Sequence, residues 1–108
     1  MAESYLEILK REFNAEDSSF VIQLRPNLEW DKAAFSRLVT AMEECCKACE
    51  GQESLERWLV EGFWFMSYFV KDWTTHPNFP RPQPPEYHRN ALQRLDDLSH
   101  WFFDGEHP

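Results

Sequence analysis

The sequence reads as an all-α protein, a small bundle of three long helices preceded by a short N-terminal helix. Three observations lead there. Apolar residues recur at three- and four-residue spacing in four separate segments. The one stretch with period-two alternation has no second strand to pair with, and an isolated strand pair is marginal in water. The breaks between segments hold helix-stop and helix-start residues, Gly51 and Pro84-Pro85.

The first helix is predicted from about Glu3 to Phe13, with Leu6, Leu9 and Phe13 on one side and Glu7, Lys10 and Arg11 elsewhere. It is short and needs tertiary support. Within residues 14–30, Phe20, Ile22 and Leu24 alternate with Ser19, Val21 and Gln23, which predicts an extended segment near 19–25. Such a segment lies against the helices or pairs with its equivalent in a second copy. The second helix starts behind Asp31 as N-cap and runs to Glu50, with Gly51 as the stop. Phe35, Leu38, Val39, Met42, Cys45, Cys46 and Cys49 keep helical spacing along all of it. The third starts near Ser54 and continues to about Trp73. Prolines 77, 80, 82, 84 and 85 then mark residues 74–85 as a stiff, extended crossover with Phe79 tucked inward. The fourth follows Pro84-Pro85, places His88, Ala91, Leu92, Leu95, Leu98 and Phe102 on one stripe, and ends at Gly105.

The 108 residues make one domain, residues 1–108, with a single modest core. Aromatics at 16% supply the apolar surface to fold it despite a net charge of −8. That charge, with acids and bases mixed in both halves, argues against a nucleic-acid backbone or an anionic membrane surface, and favours a basic partner. The opening Met-Ala-Glu-Ser-Tyr lacks the basic flank and apolar run of a signal peptide. Cys45, Cys46 and Cys49 are too close together to frame a secreted mini-domain. The expected setting is a reducing cytoplasm. The most apolar stretch, Trp58 to Trp73, is interrupted by Glu61, Lys71 and Asp72 and falls short of the about 20 apolar residues of a membrane span.

No motif names a reaction. The three thiols share the inward stripe of the second helix, where cysteine behaves as a small hydrophobe. A zinc site would need a fourth ligand from His76, His88, His100 or His107, and no second pair has suitable spacing. Asp97-Leu98-Ser99-His100 is the one element related to a dinuclear-metal motif, and its polar residues point off the stripe. With glycine only at 51, 62 and 105, no phosphate loop or nucleophile elbow exists. No enzyme, cofactor or metal is expected.

The third helix is the most informative. Leu55, Leu59, Gly62, Phe63, Met66, Val70 and Trp73 form its core side, while Arg57, Glu61, Trp64, Tyr68 and Asp72 lie opposite. Either the helix is central and Trp64 and Tyr68 are core, with Glu61 paired to Arg57, or the two rings stand at an acid-ringed surface, the composition of a binding hot spot. The chain's end poses the same choice. Asp97 and Trp101 fall off the stripe and Phe103 and Asp104 follow. This end either caps the bundle or forms an acidic, aromatic edge. The function expected is a non-enzymatic acidic module, an adaptor, inhibitor or regulatory subunit that binds a basic protein through these faces. The alternatives are a structural homo-oligomer, such as a homodimer, or a Cys/His metal-binding protein.

Overall fold

The computed structural model describes residues 4–106. They form five helices: α1 (Tyr5–Phe13), α2 (Phe20–Asn27), α3 (Lys32–Cys49), α4 (Arg57–Thr74) and α5 (Pro85–Asp104). No strand occurs among the described residues. The central helix is α3, which packs against α1, α2 and α5, while α4 packs chiefly on α5 and meets α1 through Phe13 and α2 through Trp73.

In α1, the Ser4 hydroxyl accepts a hydrogen bond from the Glu7 backbone N–H at 3.2 Å and caps the first turn. The predicted start at Glu3 lies outside the described residues. Leu9 and Glu12 are fully buried, with Tyr5, Ile8 and Phe13 packed against the core. Leu6, expected inward, is exposed, because the side facing α3 is centred on Tyr5, Ile8, Leu9 and Glu12.

The extended segment expected near 19–25 is instead the helix α2. Two side chains satisfy its first donors: Ser19 Oγ accepts from Ile22 N–H at 3.3 Å, and the buried Glu12 Oε1 accepts from Phe20 N–H at 2.8 Å. Phe20, Val21 and Leu24 are the buried set, a helical spacing that the alternation concealed. The Phe20 ring then meets Trp30 and Phe35 at centroid separations of 5.0 and 5.1 Å.

Asp31 caps α3, its Oδ1 accepting from Ala34 N–H at 3.0 Å. Gly51 follows the helix at φ 76°, in the left-handed region that suits glycine. The start of α4 differs from the expected Ser54: Glu56 is its N-cap, without a side-chain cap bond. Leu59, Phe63, Met66 and Val70 face inward. Gly62 is required by a close approach, since a Cβ there would fall on the Phe13 ring. Residues 75–84 connect α4 to α5, with Phe79 buried. The stacked rings of Phe63 and Phe102, 4.0 Å apart and 7° from parallel, centre the contact of α4 with α5.

Trp101 requires a second correction. It was expected off the apolar stripe, yet it is only 4% exposed and its indole N–H donates to Glu50 Oε1 at 2.8 Å. Because α5 has neighbours on two sides, α3 and α4, its buried arc is wider than one stripe and reaches Trp101 on one flank and Ser99 on the other. Among the described residues, no helix is long and apolar enough to cross a membrane.

Candidate binding face on α4 and α5

With about 100° between successive residues, burying Leu59, Phe63, Met66 and Val70 turns Trp64 and Tyr68 to the opposite side of α4. No described residue covers that side. Trp64 is 58% and Tyr68 59% exposed, and their rings stack on each other 5.3 Å apart and 6° from parallel. One turn of spacing lets the two rings stack on each other without a third element behind them. Phe103, at the end of α5 and 43% exposed, extends the same apolar surface. Between the two helices lies an open cleft of about 260 Å³ lined by Trp64, Ser67, Tyr68, Lys71, Asp96, Ser99 and Phe103.

The polar groups of the cleft are tied down on one side. The Ser67 hydroxyl donates to Asp96 Oδ1 at 2.8 Å, and the Ser99 hydroxyl donates to the Phe63 carbonyl at 3.3 Å. The other carboxylate oxygen, Asp96 Oδ2, has among the described residues only Lys71 Nζ, 4.0 Å away and largely solvated. A pair at that distance and exposure contributes little.

The five tryptophans separate clearly by what their indole N–H groups meet. Trp30 donates to the Tyr87 hydroxyl, Trp58 to Glu56, Trp73 to the Leu24 carbonyl and Trp101 to Glu50. Trp64 alone has no such partner among the described residues. A tryptophan that is both uncovered and unpaired contributes less to its own fold than a buried, paired one.

Of the residues singled out from sequence, the structure brings Trp64, Tyr68 and Phe103 together. Arg57 and Glu61 are exposed on the same side of α4, toward its N-terminus. The rest of the expected acidic edge on α5 does not assemble. Trp101 is core, Asp97 is half-buried and accepts a bond from Gln93 at 2.9 Å, and Asp104 is exposed beside Phe103. Asp97 and Trp101 lie one turn apart on the flank of α5 away from the cleft, while Asp96, Ser99 and Phe103 lie on the flank beside α4. Sequence reading missed Ser67, Lys71, Asp96 and Ser99. Their signal was helical spacing, Ser67 and Lys71 three residues from Trp64 and Tyr68, and Ser99 and Asp96 four and seven residues before Phe103.

A second row of rings on α4, Phe65, Phe69 and Trp73, is stacked at 5.0 and 5.8 Å and is held from the α2 side. Arg25 lies 5.7 Å over Phe69, and Trp73 bonds the Leu24 carbonyl at 2.9 Å. This row is a support for α2.

Elsewhere the titratable groups are structural. Cys45 and Cys46 are buried and Cys49 is half-buried. Burial, with the neighbouring Cys49, pushes the Cys46 thiol up to about 12 and raises Cys45 as well, so both stay protonated. No group of three or more Cys, His, Asp or Glu among the described residues could hold a metal ion. His107, one of the histidines considered as a ligand, lies outside the described residues. His88 is buried, its Nε2 2.8 Å from the Thr74 hydroxyl, and burial followed by the Arg81 charge lowers its pKa.

Comparison of the chain with known protein families, with curated proteins and with solved structures returns no match. Its function is therefore read from the geometry of the α4 and α5 face.

Proposed function

We propose that this chain is a non-enzymatic, acidic protein-binding module, an adaptor, inhibitor or regulatory subunit, that engages a partner with a basic surface through Trp64, Tyr68 and Phe103. The observation that carries this reading is the uncovered Trp64–Tyr68 stack, whose indole is unpaired in the fold. Aromatic anchors of this kind supply most of the residence time at interfaces, and a net charge of −8 raises the encounter rate with a cationic surface. The same charge opposes a homodimer, because two copies repel at low salt. Three free thiols fit a reducing compartment such as the cytoplasm.

The test is quantitative capture from native lysate with the wild type, a Trp64→Ala/Tyr68→Ala double variant and a Glu44→Gln control. The reading expects one or more proteins held by the wild type and the control and lost from the double variant, with helical circular dichroism unchanged. Identical capture by all three would remove it.

A further inference from the structure

We infer that the cleft between α4 and α5 is a seat for an arginine side chain of the partner, with the guanidinium stacked on the Tyr68 and Phe103 rings and paired to Asp96. The inference rests on the binding-face reading and names what that face takes.

Three features of the cleft converge on a planar cation. Its walls are the rings of Trp64, Tyr68 and Phe103, whose faces attract a desolvated cation. Its one acid is half satisfied: Ser67 fixes Asp96 Oδ1 at 2.8 Å, which holds the carboxylate in place, while Oδ2 has among the described residues only the distant, solvated Lys71 ammonium. An incoming guanidinium displaces that weak contact without leaving a buried charge behind, since Lys71 is free to swing into water. Glu61 and Asp72, one turn from Trp64 and Tyr68 on α4, and Asp104, next to Phe103, are exposed as well and outnumber the exposed Arg57 on that side.

Arginine suits the site better than lysine. A guanidinium is flat, stacks on aromatic faces and donates from a fork to a carboxylate, whereas an ammonium is a compact, strongly hydrated point charge. The cleft is also open along one side, so a side chain can enter while its backbone remains on the surface. The volume of about 260 Å³ accommodates one guanidinium and its methylene stem.

The test is an NMR titration of the full chain with N-acetyl-arginine methylamide, its lysine counterpart, and the citrulline counterpart, which keeps the shape and removes the charge. The expected result is a shift of the Trp64 indole N–H and of the Asp96 and Phe103 amides. The arginine probe should bind about fivefold more tightly than citrulline, with lysine between them, and the preference should vanish in Asp96→Asn, which keeps the Ser67 bond. Equal binding of arginine and citrulline, a preference that survives Asp96→Asn, or no shift with any probe would overturn the seat. The binding-face reading fails separately, if the Trp64→Ala/Tyr68→Ala variant captures the same proteins as the wild type.

Discussion

Two tryptophans on adjacent helices provide a sharp test of which rings are core. Trp101 is 4% exposed, so truncating it to alanine empties a site that held an almost complete indole. A buried aromatic covers about 150–250 Å², which at about 25 cal/mol per Å² is about 4–6 kcal/mol, and measured Trp→Ala losses in cores run at about 3–5 kcal/mol. Trp64 keeps more than half its surface in water. Its truncation removes less than half as much burial and one ring stack, and gains helix propensity, for a net loss of about 1–2 kcal/mol. Urea unfolding followed by circular dichroism at fixed slope measures both. Trp101→Ala should lose at least about 2 kcal/mol more than Trp64→Ala, a large share of the about 5–15 kcal/mol that holds a domain together. Equal losses, or a larger one at Trp64, would mean that the α4 stack is core and not a free face.

Gly62→Ala should be destabilising by about 1–2 kcal/mol in the same assay, because overpacking against the Phe13 ring exceeds the about 1 kcal/mol of helix propensity gained. Burial holds the Glu12 carboxyl above its usual range, against the opposing Phe20 N–H, and its Oε2 has no hydrogen-bond partner among the described residues. An acid with a raised folded-state pKa contributes stability below its unfolded value of 4.5 and loses it as pH rises. Glu12→Gln should therefore be more stable than the wild type near neutral pH, with the gap closing as the solution is acidified. His88 has the opposite sign. Its lowered pKa contributes stability above the ordinary value of 6.5 and loses it as pH falls, so a His88→Gln variant should lack that acid-side decline. Iodoacetamide at neutral pH should label Cys49 before Cys45 and Cys46 in the folded protein, with mass spectrometry of the peptides as the readout.

The helices α3, α4 and α5 were legible because their apolar spacing is long and their ends carry strong signals, such as Asp31, Gly51 and Gly105. The segment around Phe20 was not. Its alternation of ring, valine and isoleucine fits a strand as well as a short helix, and the deciding contact comes from Glu12, a residue eight positions away that supplies a cap. Whether Trp101 caps the bundle or edges it was open in the sequence for a related reason. Spacing along one helix marks its stripe, but the width of that stripe depends on how many neighbours the helix has, and α5 has two on different flanks. The same fact from the other side explains α4. With α5 as its main neighbour, its outer side remains open, and the choice between core and surface for Trp64 and Tyr68 turned on packing that periodicity does not contain.

The central claim, that the α4 and α5 cleft face is where this protein meets its partner, is tested most directly by the affinity of a captured partner for four single variants. Trp64→Ala and Phe103→Ala lie on the face. Leu6→Ala and Leu28→Ala remove exposed apolar side chains from other parts of the surface. The first two should lose at least about tenfold in affinity, the size of a hot-spot truncation, and the others should change little. Unchanged affinity at Trp64 together with a loss at Leu6 or Leu28 would contradict that claim.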